Sequence, residues 1–334
     1  MRKWIPIALL CLGSLGAKSQ DIHFSQFYNT PLFTNPAATG YFDGTYRFNG
    51  VVRRQWSAVS SEPYQTFGGG IDMNSPFNLK GTGIGINVAQ DVTGLSAFST
   101  FSANASLAGR IKLGSNKSWI FGAGGAFGYL SQSVDYSKLK FESQFDGKYF
   151  DPNMLSNEYL GSINYAWTNV SIGGFIQKKW SDRTNVLLGY STYSLFLQNR
   201  GSGLAFYPEQ RQSFQALTSF KLLNRFDLTP GVQVMFQGQS QEYLFGTSVK
   251  YYLKNTPLEK QAIMLGGWAR WSDAAIVSLG FQQNQLTIGA TYDINYSPFN
   301  VATNYRGGWE FAVIYTIATV RENVKRLRAC PNYF

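Results

Sequence analysis

From residue 45 onward the chain alternates apolar and small or polar positions. Leu286, Ile288, Ala290, Tyr292, Ile294 and Tyr296 hold one parity, and Thr287, Gly289, Thr291, Asp293 and Asn295 hold the other. A period of two puts the two sets on opposite faces of one β-strand. Trp119, Phe121, Ala123, Gly125, Phe127 and Tyr129 alternate in the same way with Gly122, Gly124, Ala126 and Gly128. Trp309, Phe311, Val313, Tyr315 and Ile317 alternate with Glu310, Ala312, Ile314, Thr316 and Ala318. Read along the chain, the pattern predicts strands near 45–56, 63–73, 81–90, 96–110, 118–130, 163–179, 183–194, 211–223, 225–237, 241–253, 261–271, 274–282, 285–296 and 307–319. That is about 14 strands and an all-β fold.

Composition decides what the strands build. Only 14% of the residues are charged, 16% are aromatic, and Gly numbers 34. After the first residues the chain has no apolar run of the ~18 residues that a membrane helix needs. Few charges with aromatic-ended apolar faces are what an antiparallel transmembrane β-barrel requires, because its outer face meets lipid and its inner face meets water. An even strand count also returns both ends of the barrel to one side. The two longest connections, 131–162 and 195–210, then fall on the opposite, external side. A soluble sandwich, propeller or solenoid is the competing architecture. No fixed-period repeat supports the last two, and a sandwich of this length usually splits into domains.

Two segments precede the barrel. Residues 1–19 carry Arg2 and Lys3, an apolar stretch from Ile5 to Leu15, and Ala17-Lys18-Ser19, which reads as a secretory signal cleaved near Ser19/Gln20. Cys11 raises a lipoprotein signal as the alternative, but Leu10 before it is a poor match. Residues 20–44 are the least strand-like part of what remains: Phe24, Phe27, Tyr28 and Phe33 keep no period of two, and Pro31 and Pro36 each remove a ladder donor. An extended, aromatic-anchored segment packed against or inside the barrel is expected there. The strand region spans 45–319, and a basic tail, 320–334, follows it on the periplasmic side, with Arg321, Lys325, Arg326, Arg328, the lone thiol Cys330 and the terminal Phe334.

Candidate chemistry is sparse. His23 is the only His, so no Ser-His-Asp triad can be assembled elsewhere, and no His, Cys and carboxylate spacing suits a metal. Catalysis, cofactors and metals are not expected. The net charge of +10 includes the leader and the tail and does not mark a nucleic-acid surface. The inward parity carries Arg47, Arg53, Asp72, Lys250, Arg270, Asp293 and Glu310. Both signs occur, which favours an ion-pair network filling the lumen over an ion-selective pore. The external stretch 131–162 carries Phe141, Phe145, Tyr149 and Phe150, an aromatic set suited to a lid or to a partner surface.

A resemblance runs through the chain in order. It starts with Gln20-Asp21-Ile22-His23-Phe24-Ser25-Gln26-Phe27-Tyr28 and Asn35-Pro36-Ala37 with Gly40. It continues with Arg53-Arg54-Gln55-Trp56, Gly267-Trp268-Ala269-Arg270 with Asp273-Ala274, Gly289 to Asn295, and Gly307-Gly308-Trp309-Glu310, and closes on Cys330-Pro331 and Phe334. On these motifs the chain resembles the PorP/SprF family of type IX secretion outer-membrane proteins. Ile22 where Pro is common and Asn332-Tyr333 near the end depart from the family pattern, the second putting any particular tail contact in doubt. The resemblance implies a FadL-like 14-stranded barrel with an N-terminal plug. It also implies a role in type IX secretion or gliding motility, assisting export or surface attachment of adhesin-type cargo with a C-terminal sorting domain. Partners would be that cargo, periplasmic and outer-membrane secretion subunits, and outer-membrane lipid. A FadL-like transporter of a hydrophobic small molecule is the alternative.

Overall fold

The structure, a computed structural model, describes residues 22–94, 98–114, 116–135, 139–145, 147–151, 153–155, 164–196, 209–256 and 259–317. The leader with Asp21, and the tail with Arg321, Lys325, Arg326, Arg328, Cys330 and Phe334, lie outside the described residues.

The alternating sequence forms one closed antiparallel barrel of fourteen strands. In chain order these are β1 (Tyr46–Gln55), β2 (Tyr64–Asn74), β3 (Thr82–Thr93), β4 (Phe98–Leu113), β5 (Trp119–Ser133), β6 (Asn164–Ser181) and β7 (Thr184–Tyr193). They continue as β8 (Arg211–Lys221), β9 (Phe226–Gln237), β10 (Ser240–Asn255), β11 (Lys260–Arg270), β12 (Ala274–Gln283), β13 (Leu286–Asn295) and β14 (Arg306–Ile317). Each strand pairs with its sequence neighbours, and β1 closes on β14 with Tyr46 opposite Ile317 and Arg53 opposite Glu310. Closure leaves no unpaired edge. Outward residues such as Leu107, Phe127, Ile172, Leu265 and Phe311 are exposed all round the wall, far more apolar surface than a protein meeting water on every side carries. Such a wall is built to meet lipid.

Strand ends differ from the apolar reading where polar rims extend the ladder. Ser131, Gln132 and Ser133 pair with Phe101, Thr100 and Ser99, so β5 outlasts its apolar stripe and the following connection is 134–163 rather than 131–162.

The end where β1 begins and β14 finishes is termed the near rim, the opposite end the far rim. Residues 22–44 cross between them. The Ile22 carbonyl accepts from Arg211 at the far-rim start of β8 (2.7 Å), while the Gly40 N–H donates to Asp72 near the end of β2 at the near rim (2.6 Å). This segment is not extended as expected. It coils into a 3-10 turn Phe27–Asn29, a helical turn Pro31–Thr34 and a 3-10 turn Pro36–Ala38. Pro31 and Pro36 each open a turn, where their fixed φ suits the helix and the missing N–H is not needed. Thr30, Thr34 and Asn35 hydrogen-bond the local backbone between them. Among the described residues, three buried hydrophobic clusters each contain part of this segment: Phe27 with Leu244, Trp268 and Ile276, Phe24 with Val51 and Ala312, and Ala37 with Ile120 and Phe175.

Candidate functional site

The first described residues meet a dense ionic network below the far rim. Arg270, the last residue of β11, donates through Nη1 to Asp273 and Asp293 (both 3.0 Å) and through Nη2 to Ser25 Oγ (2.6 Å). Its Nε lies 3.5 Å from Glu242, whose other contact is His23 Nε2 at 3.1 Å. Arg53 donates to the His23 carbonyl (2.8 Å) and lies 3.5 Å from Asp293 and 3.9 Å from Glu310. Glu310 accepts the backbone N–H groups of Ser25 and Gln26, each at 2.8 Å. Two guanidiniums thus face four carboxylates, and the Ser25 and Gln26 amides and the Ser25 hydroxyl add further donors to Glu310 and Asp293. Buried charges persist only when paired in this way. The network's carboxylates are committed to holding residues 23–26.

Farther toward the near rim, Asn35 is fully buried. Its Oδ1 accepts from Ala37 N (2.9 Å), and its Nδ2 donates to the carbonyls of Gly174 (3.1 Å) and Tyr190 (3.3 Å) on β6 and β7. Glycines on the wall make room: a β-carbon at Gly173 would overlap the Asn35 carboxamide, and one at Gly124 would come within 2.8 Å of the Pro36 carbonyl. These wall glycines admit a backbone and a carboxamide. At the near rim Gly40 has φ +68° and a built β-carbon would meet Gly83 and Met73, so only glycine fits there.

Asp72 completes the near-rim anchor, taking Gly40 N together with Arg47 Nε (2.9 Å) and Nη2 (2.7 Å). Arg47 also donates to the Ala38 carbonyl at 3.0 Å. Tyr41 follows, its hydroxyl on Gln177 and its ring packed on Phe175 at 4.7 Å. Burial, with Asp43 adding to it, pushes the Tyr41 phenol up to about 12. Lys250 stands apart from both anchors, donating to Gln282 Oε1 at 2.5 Å. Of the external aromatics, Phe145 and Phe150 form a β-bridge with rings 6.3 Å apart, the Phe150 ring lies 5.0 Å from Lys140 Nζ, and Tyr149 is exposed. Phe141 precedes the short turn Glu142–Gln144 and donates its N–H to Gln144.

The ordered motifs therefore meet in space: Ser25 and Gln26, Arg53, Arg270 with Asp273, Asp293, and Glu310 converge from five separate parts of the chain. The family described as "Type IX secretion system membrane protein PorP/SprF" matches residues 16–315. The chain belongs to this family. No curated protein matches it. Solved structures of similar shape include a transporter and channels. They include the toluene transporter TbuX of Ralstonia pickettii (11% identity, 86% of this chain and 92% of that one, TM-score 0.50). They also include a TodX monoaromatic hydrocarbon channel mutant (11% identity, 87% and 94%, TM-score 0.54). At that identity the likeness concerns the barrel fold alone.

In this PorP/SprF-family barrel, sequence reading passed over several of the residues that hold the segment. Glu242 shares the inward parity of Lys250 on β10, so its position was legible. Asp273 was noted only as part of a motif. Arg211, at the first position of its strand, carried no sequence signal beyond its charge, whereas His23 stands in the opening motif and acts through both its ring and its carbonyl.

Proposed function

We propose that this PorP/SprF-family protein is a non-enzymatic outer-membrane component of type IX secretion that assists the export or surface attachment of a partner protein. The observation that carries the reading is the anchoring of residues 22–40 at both rims, by Arg270, Arg53 and Glu310 at one end and by Asp72 and Arg47 at the other. A segment held this way acts as a plug, and a plugged barrel serves as a membrane-embedded platform better than as a conduit. The far-rim connections, 134–163 above all, would hold the cargo, an adhesin-type protein with a C-terminal sorting domain, and the basic tail would meet periplasmic subunits. The signal sequence delivers the chain to the outer membrane after cleavage near Ser19/Gln20.

The experiment replaces residues 134–163 with a short turn joining Ser133 to Asn164. Heat-shifted gel migration reports whether the barrel still folds, and surface labelling reports the partner. Loss of one surface protein from cells whose barrel is folded supports the proposal. Unchanged display of every surface protein contradicts it.

A further inference from the structure

The segment does not fill the barrel evenly. On the β8–β13 side, a cavity of about 230 Å³ lies between the segment and the wall. Tyr28 and Trp268 cover it toward the far rim, their rings stacked at 4.9 Å and 21°. Leu217 and Met264 supply apolar wall, and Lys250 reaches in from β10 on the near-rim side. Gln26 and Asn29, hydrogen-bonded to each other at 3.0 Å, complete the cover, and Gly289 lets them sit against β13.

The charge at this place is asymmetric. Lys250 donates to Gln282, a neutral acceptor. Asp227, its neighbour across the β9–β10 ladder, also holds Arg183 through both oxygens at 2.5 and 3.1 Å and accepts from the Tyr252 hydroxyl at 2.8 Å, so two cations share one carboxylate there. Lys221 and Lys260 are exposed toward the near rim on the same side, where Lys254 pairs with Glu259 at 3.1 Å. An apolar chamber with an ammonium at its wall and a basic approach selects a ligand that has an apolar body and one negative head group.

We infer that this chamber binds a small amphipathic carboxylate, entering from the near rim, with its chain against Met264, Leu217 and the Tyr28–Trp268 pair and its carboxylate on Lys250. Size excludes large lipids. The ionic network above Tyr28 lies between the chamber and the far rim. This inference stands apart from the proposed secretion role and survives or fails without it.

The test is calorimetric titration of the full-length protein in lipid nanodiscs with sodium octanoate, using empty nanodiscs to subtract partitioning. Saturable one-site binding is expected, weakened about tenfold in Lys250→Gln, since a hydrogen bond to a charged group is worth about that much. Octan-1-ol should bind more weakly by a similar factor. Leu217→Trp, which fills the cavity, should abolish binding while heat-shifted migration shows a folded barrel. Should that variant not fold, Lys250→Gln alone decides. Heat no different from empty nanodiscs overturns the inference, as does equal octanoate affinity in wild type and Lys250→Gln.

Discussion

The carboxamide of Asn35 lies against Gly173 so closely that a β-carbon there would overlap its oxygen. The contact joins the middle of the N-terminal segment to β6, and the carboxamide's acceptors are the backbone carbonyls of Gly174 and Tyr190. Gly173→Ala therefore pushes Asn35 off Gly174 and Tyr190. We expect both Gly173→Ala and Asn35→Ala to cost about 1–3 kcal/mol, the penalty of leaving buried polar groups without partners. Because they break one contact, the double variant should cost less than the sum. Urea unfolding in vesicles measures this, and full additivity would contradict the contact.

Arg270 holds Ser25, Asp273 and Asp293 by hydrogen bonds and faces Glu242. Arg270→Met leaves Glu242 and Asp293 buried with too little compensation and should destabilise by about 3–5 kcal/mol. Arg270→Lys keeps the charge but cannot reproduce the fork, so it should fall between wild type and Arg270→Met. A lysine variant as stable as wild type would show that charge alone suffices.

Phe27 is wedged among Leu244, Trp268 and Ile276. Truncating a buried Phe costs about 3–5 kcal/mol, most of it here from the grip of the wall on the segment. In planar bilayers the wild type should show no steady conductance, and Phe27→Ala should show intermittent openings. A wild-type protein that conducts steadily would mean that the segment does not close the lumen.

The direction of the segment makes a topological prediction. In a Cys330→Ser background, a cysteine at Ile22 lies by the far rim and one at Tyr41 by the near rim. With the long connections outside the cell, an impermeant maleimide should label position 22 on intact cells and leave position 41 unlabelled. The reverse pattern would invert the barrel.

Much of the wall was legible because lipid and lumen impose a period of two on every strand. The strand count and faces follow from Leu286 to Tyr296 and from Trp119 to Tyr129 by that rule alone. The rims were less legible: Ser131 to Ser133 continue the β5 ladder without any apolar signal. The segment coils where an extended path was expected, because Pro31 and Pro36, which deny a ladder its donors, also start helical turns. Charges on inward parity could be named, yet which of them meet depends on the path of residues 22–40 through the barrel. That path is a tertiary fact, and no local pattern states that Arg53 and Arg270 would share Asp293 while Arg47 turns to Asp72.

The central claim is that a plugged PorP/SprF-family barrel serves a partner protein. Affinity purification of the tagged protein from outer membranes in mild detergent tests it most directly, with identification of every protein that accompanies it. The account predicts a large surface protein bearing a C-terminal sorting domain, lost when residues 134–163 are removed, together with periplasmic secretion subunits lost when residues 320–334 are removed. A barrel that purifies alone, from cells displaying their full set of surface proteins, would contradict it.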